Sequence, residues 1–269
     1  MKDYVLELAS KQTDSRSKFN IMREYVQAYI LRILHDEGLF RISAFVGGTA
    51  LRFLHNLPRF SEDLDFSLAK AKEIKFAPLM KKVETELALS GYNVALSYHD
   101  EATVRNALIK FEGLMYEAGI SPLKSQKFSV KIEIDTRPPE GAILKIEIVN
   151  KYFPIDFLAY DLPSLFAGKL NAILSRRYTK GRDYFDLFWY LTKWRDLVPN
   201  VALLRNGLTQ MAWKYELPTE NNWKQLIHKV VKESDWSKVR EDVEKFLERP
   251  RDIEILTKET LLKVIEGES

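Results

Sequence analysis

Two aspartates spaced by one residue, Asp63 and Asp65, lie in the run Ser-Glu-Asp-Leu-Asp-Phe at positions 61–66. On an extended strand, residues i and i+2 point to the same face. Both carboxylates therefore project together, while Leu64 and Phe66 face the core. Two like charges about 4 Å apart repel by roughly 4 kcal/mol at an effective dielectric of 20. Such a pair costs stability, and a divalent cation relieves the cost. Ligands that offer only oxygen suit Mg²⁺ or Mn²⁺. The plain alternative is a surface strand with solvated acids.

Fifteen to twenty residues upstream, Gly47-Gly48-Thr49 joins a short apolar run to a helical pattern. Glycines let a ligand approach the main chain, and the N-terminus of the following helix offers N–H groups and a positive dipole to a phosphate. No Gly-Lys-Ser/Thr follows, so this is not a Walker A loop. A third acid, Asp135, closes Ser-Val-Lys-Ile-Glu-Ile-Asp at 129–135, with Glu133 as the competing candidate. Three such acids suit phosphoryl transfer assisted by two metal ions.

Lys169 shares a helical stripe with Leu162, Leu165, Phe166, Leu170 and Ile173. A lysine there either snorkels outward or reaches a buried anion, and both a triphosphate and Asp183 or Asp186 qualify. In the run 180–191, Asp183, Leu187 and Tyr190 share one helix face. That turns Asp183 inward, with Arg182 a candidate phosphate contact and Asp186 a candidate partner for Arg or Lys. The aromatics around them read as core. Residues 161–214 hold nine basic and four acidic groups, a local net of +5, which suits a phosphate-rich ligand.

The elements that must position these groups follow from hydrophobic periodicity. The first 40 residues read as helical. Ala44–Val46 and Leu64–Leu68 read as strands, Thr49–Leu57 and Lys72–Ser90 as helices. Strands are expected at 92–98, 103–111, 127–135 and 144–148, with a loop over 112–126. Asp161 with Pro163 and Ser164 marks a helix start. Further helices are expected at 181–194, 201–213, 222–232, 237–247 and 253–265. The expected fold is α+β: a mixed sheet flanked by helices over 1–160, then a helical domain over 161–269.

Composition narrows the classes. The chain has 269 residues, 46% hydrophobic and 29% charged, with a formal net charge of +3. That describes a globular protein with a sizeable core. Cysteine is absent, which excludes disulfides, thiol nucleophiles and Cys-ligated metals. The four scattered histidines argue against a His-ligated centre. A charged N-terminus without an apolar segment, and no run of about 18 apolar residues, lead us to expect a cytoplasmic protein rather than a membrane one.

The runs GGTALRFLHNLPRFSEDLDFSL and LPSLFAGKLNAILSRRYTKGRDYFDLFWYL resemble the AbiEii/AbiGii toxin family of nucleotidyltransferases. These are relatives of the DNA polymerase β superfamily found in type IV toxin–antitoxin and phage-defence systems. The motifs cover about residues 45–190. The resemblance implies a nucleotidyltransferase fold that uses Mg²⁺ and an NTP. It implies nucleotide binding at Gly47, Gly48, Thr49, Lys169 and Arg182, metal binding at Asp63, Asp65 and Asp135, and catalytic roles for those acids with Lys169 and Asp183. It also implies an RNA acceptor, tRNA for some members, and a cognate antitoxin. Transfer to protein, a kinase-like use of the site, or a non-catalytic nucleotide-binding partner of an antitoxin are the alternatives. This chain has Gly-Gly where some members have Gly-Ser, one hydroxyl fewer in the phosphate turn.

Overall fold

The computed structural model describes residues 1–70, 74–176 and 178–267. The chain divides into two compact units. The first comprises 1–55, 60–137 and 145–159; the second comprises 56–59, 138–144 and 160–269.

The first unit opens with α1 (Lys2–Ser10) and α2 (Ser15–Asp36), not one continuous helix. The break has a local cause: Asp14 adopts an extended conformation and its carboxylate accepts from Ser17 N–H, which starts α2 afresh. Then come β1 (Ser43–Val46), α3 (Gly47–His55), β2 (Leu64–Leu68), α4 (Phe76–Leu89), β3 (Val94–His99) and β4 (Val104–Phe111). The helix expected from Lys72 is described from Phe76 onward; Lys72 and Glu73 lie outside the described residues. A short α5 (Leu114–Glu117) interrupts the expected loop. Next are β5 (Phe128–Asp135), β6 (Leu144–Asn150) and β7 (Pro154–Tyr160). The last of these strands had no counterpart in the sequence reading.

The seven strands form one mixed sheet in the order β3-β4-β5-β2-β1-β7-β6. β2 lies antiparallel to β1 and parallel to β5, so the strand with the paired aspartates is central. Alternation seals its inner face: Leu64 and Phe66 are buried. Phe45 of β1 stacks on Phe66 at 5.4 Å and on Phe157 of β7 at 5.2 Å. One aromatic from each of three adjacent strands thus pins their register through apolar burial.

The second unit is helical: α6 (Leu162–Ser175), α7 (Gly181–Lys193), α8 (Val201–Gln210), α9 (Trp223–Glu233), α10 (Trp236–Glu244), α11 (Asp252–Ile255) and α12 (Lys258–Glu266). Asp161 caps α6 by accepting from Ser164 N–H at 2.9 Å, as its sequence context indicates. The single helix expected at 253–265 is two, because Thr257 takes an extended conformation and caps α12 through Thr260 N–H. Phe166 and Tyr190 stack at 4.4 Å between α6 and α7. A Cβ at Gly181 would stand 2.1 Å from the Val239 carbonyl oxygen, so glycine is required where α7 begins against α10. Among the described residues, no helix is long and apolar enough to cross a membrane.

Candidate active site

The paired aspartates stand where the sheet meets the glycine turn. Asp65 lies opposite Val46, the last residue of β1, and the chain then turns at Gly47 with φ +79°. A Cβ at Gly47 would fall 2.3 Å from Asp65 Oδ2. No other residue fits there, on backbone and on space alike. The turn is therefore a seat for the Asp65 carboxylate.

On the other side of β2, the parallel register sets Asp65 beside Glu133 and Ser67 beside Asp135. Glu133 is thus the carboxylate level with the aspartate pair. Asp135 stands two residues further along, where its Oδ1 accepts from Arg137 N–H at 2.9 Å. Lys131 shares the face and bonds Glu133 Oε1 at 2.8 Å. That bond raises the Lys131 ammonium above the ordinary lysine range, and the charges of Asp63 and Asp65 add to it. β2 and β5 therefore present four carboxylates and one ammonium on one side of the sheet. Among the described residues, no group of three or more His, Cys, Asp or Glu side chains is clustered as a metal cage.

The segment that leads into the pair is held by buried side chains. Gln27 of α2, 2% exposed, donates its amide to the carbonyls of Ser61 at 3.1 Å and Glu62 at 2.8 Å. Thr49, fully buried, donates its hydroxyl to the Asp63 carbonyl. Three successive carbonyls are thus fixed by two side chains, so the approach to the aspartates has little freedom. Thr49 Oγ is turned inward; what it can offer a ligand is its backbone N–H in the first turn of α3. One helical turn of α2 also carries Glu24, whose carboxylate accepts from Arg52, from Lys151 at 2.9 Å and from Tyr152 at 3.0 Å. Burial pushes the Glu24 carboxyl up, but Arg52 and Lys151 outweigh it and hold it below the ordinary range.

The second unit assembles the other predicted residues. Lys169 of α6 reaches Asp183 at 3.1 Å and Asp186 at 2.7 Å on α7. Arg59 grips Asp186 with two bonds of 2.6 Å, and Arg176 bonds Asp183. Asp183 and Asp186 are 3% and 0% exposed. Burial pushes the Asp186 carboxyl up, but Arg59 and Lys169 together hold it below the ordinary range. Arg176, Lys180, Asp183, Tyr184 and Ser234 line a cleft beside this cluster. There the Lys180 ammonium is lowered by burial and by its cationic neighbours Arg182 and Arg176. Arg182 is itself engaged: its N–H meets Asp242 at 3.2 Å and its guanidinium lies 4.2 Å from the Phe246 ring.

Sequence reasoning missed Gln27 and Arg59, and it set Lys131 on the face of Glu133 and Asp135 without giving it a role. Gln27 had a signal: Asn20, Arg23, Glu24 and Gln27 recur at helical spacing and are buried in an otherwise apolar helix. Lys131 alternates with Glu133 and Asp135 and was readable as a cation on their face. Arg59 gave no periodic signal, because it lies between elements.

The family described as "Nucleotidyl transferase AbiEii toxin, Type IV TA system" matches residues 29–258. No curated protein sequence matches significantly. Among solved structures, a Helicobacter pylori protein assigned to the nucleotidyltransferases aligns with TM-score 0.56 and 18% identity, covering 92% of each chain. JHP933 from Helicobacter pylori aligns at 0.51 and 18%, covering 91% of this chain and 88% of its own. MenT4, a nucleotidyltransferase toxin from Mycobacterium tuberculosis, aligns at 0.53 and 17%, covering 100% and 99%. At these identities the structural likeness is one of fold. The family match spans most of the chain, and the protein belongs to the AbiEii family of nucleotidyltransferase toxins of type IV toxin–antitoxin systems.

Proposed function

We propose that this enzyme transfers a nucleotidyl group from an NTP to an RNA hydroxyl, tRNA being the first acceptor to try. The acceptor oxygen bonds to the α-phosphorus, the bond from that phosphorus to the bridging oxygen breaks, and pyrophosphate leaves. The observation that carries the reading is the seat of Asp65 on the Gly47 turn, with Asp63 two residues before it and Glu133 level with it on β5. These donors suit Mg²⁺ or Mn²⁺: they are oxygen only, and Mg²⁺ commonly takes one or two protein carboxylates, completing its shell with water and substrate phosphates. Asp63 and Asp65 would hold the ion, which when bound neutralises phosphate charge and lowers the pKa of the attacking hydroxyl. The sequence assigns the third-acid role, completing the metal site or accepting the hydroxyl proton, to Asp135; the register favours Glu133.

The first-turn N–H groups of Gly48 and Thr49 receive phosphate oxygens, as helix N-termini do. The resemblance assigns Lys169 and Arg182 to nucleotide binding and Asp183 to a catalytic role; within the second unit, Asp183 and Asp186 hold the Lys169 ammonium. Support for an RNA acceptor comes from exposed Lys193, Arg195, Arg205 and Lys214, the outward part of the basic excess counted at 161–214; Arg177, also in that count, lies outside the described residues. We place the action in the cytoplasm, opposed by a cognate antitoxin encoded nearby.

The test is incubation of the folded protein with each α-labelled NTP, Mg²⁺ or Mn²⁺, and total RNA. Label in the tRNA band with one preferred NTP is the expected outcome, lost on chelation. Label on protein, or release of γ-phosphate without α-label transfer, would replace the RNA reading.

A further inference from the structure

Among the described residues, β6 is the last strand of the sheet on its side, with β7 as its neighbour. Its outer groups are unusual for such a place. Leu144, Ile146 and Ile148 share one face and are 40%, 72% and 79% exposed. A row of large apolar side chains on an edge strand invites pairing with another strand.

The residues around Ile146, namely Leu144, Lys145, Ile146, Glu147 and Ile148, alternate apolar and charged in both directions, with opposite charges on the two sides of Ile146. Consider two antiparallel copies of β6 related by a two-fold axis at Ile146. Ile146 then faces Ile146, Leu144 faces Ile148, and Lys145 faces Glu147 at both ends. Every apolar group meets an apolar group, and each ammonium meets a carboxylate. A shift of one residue would set the apolar row against the charged row, because side chains alternate between faces. Centring the axis on Glu147 would set Glu147 opposite itself, and centring it on Lys145 would set two lysines together. Like charges directly opposite are destabilising, so the strand selects a single self-paired register.

We propose that β6 is a self-association surface: it pairs with β6 of a second copy of this chain, antiparallel and centred on Ile146, and makes the sheet continuous across a dimer. This inference is independent of the transfer reaction.

Sedimentation velocity on the full chain, in a concentration series reaching the high micromolar range, should show a monomer–dimer equilibrium. Ile146→Asp removes the central apolar contact and sets two carboxylates on the axis, and should weaken it at least about tenfold. Ile146 is exposed, so the variant keeps its fold, which circular dichroism checks. Lys145→Glu alone and Glu147→Lys alone should each weaken the dimer, and the double swap should restore it. Because the chain has no cysteine, single introduced thiols report the register. Ile146→Cys should cross-link to its own counterpart through a short bifunctional reagent. Ile148→Cys should not, since its counterpart lies four residues, about 13 Å, along the strand. A monomer at all concentrations, a dimer indifferent to Ile146→Asp, or equal cross-linking at both positions would overturn the proposal. So would a β6 that pairs only with a foreign strand.

Discussion

The two units treat their acidic residues in opposite ways. In the first, Asp63, Asp65 and Glu133 share one partly exposed face of a sheet with Lys131. In the second, Asp183 and Asp186 are buried and matched by Arg59, Lys169 and Arg176 at bonding distance. Buried acids matched this closely hold a fold together. Acids lined up on one partly exposed face are placed to meet a ligand, and titratable groups gathered in this way mark functional sites. Substitution should therefore separate the two regions: loss of activity without loss of stability in one, loss of stability in the other.

The largest expected effect tests the first half of that contrast. Asp65→Asn should lower nucleotidyl transfer at least about 100-fold, the scale of losing one electrostatic contact to a reacting centre. Its melting temperature should change far less than that of a variant in the buried cluster, because Asn keeps the shape of the side chain seated on Gly47. A variant that melts much lower while keeping its activity would place Asp65 with the structural acids and break the comparison.

Asp186→Ala tests the second half. It takes both of the bonds that Asp186 accepts away from the buried Arg59 guanidinium, and breaking a buried pair this way costs about 3–5 kcal/mol. Urea unfolding followed by tryptophan fluorescence should show the loss, because Trp189, Trp194, Trp213, Trp223 and Trp236 all lie in the helical unit. Lys169→Met is the sharpening variant. If Lys169 serves both the acid cluster and the triphosphate, it loses stability and activity together, a signature that neither aspartate variant has.

How much of this was legible in the chain depends on what each residue answers to. The DxD strand, the Gly-Gly turn, the Asp161 cap and the inward Lys169 follow from local rules of alternation, backbone freedom and helical phase. All four are found as read, because local sequence alone fixes them. β7 was not legible: Pro154–Tyr160 alternates Ile155, Phe157 and Ala159 inward, but it opens on a proline and carries an acid at Asp156. The acids on β5 were legible as candidates and not as a choice. Which of Glu133 and Asp135 stands level with Asp65 is a matter of register between strands more than 60 residues apart, which no local pattern encodes. Arg59 was opaque for the same reason, since its partner Asp186 is 127 residues away.

The register yields an intermediate effect. Glu133→Gln should reduce transfer about 100-fold more than Asp135→Asn, the low end of the range for removing a positioned proton acceptor. Single-turnover rates at saturating NTP measure it. The reverse ranking would return the third-acid role to the position chosen from sequence. A smaller effect is expected one layer back. Gln27→Leu keeps the volume and removes the donors to the Ser61 and Glu62 carbonyls. Leaving those carbonyls unmatched costs about 1–3 kcal/mol. Because Gln27 acts by positioning, kcat should fall more than KM rises, and Gln27→Asn should recover little, its amide being one methylene short.

The smallest effect sets the two regions apart by pH. Asp186 has a lowered carboxyl pKa in the folded chain. Its stabilisation is complete above the ordinary carboxylate range and is lost as pH falls through the folded value. The exposed pair of His35 on α2 with Asp156 on β7 behaves in the opposite sense. Burial pushes the His35 imidazolium down, but its bonds to Asp156 and Asp36 raise it overall. Its contribution is complete below about pH 6.5, the unperturbed histidine value, and fades as pH rises through the folded value. Surface pairs of this kind contribute under about 1 kcal/mol, so the melting temperature should drift down only slightly between mildly acidic and mildly alkaline pH. In His35→Gln that drift should vanish while the acid-side loss tied to Asp186 persists. In Asp186→Asn the reverse holds: the alkaline drift stays and the acid-side loss shrinks. Identical pH curves for the two variants would mean that exposed and buried charges are not separately coupled to folding in this chain.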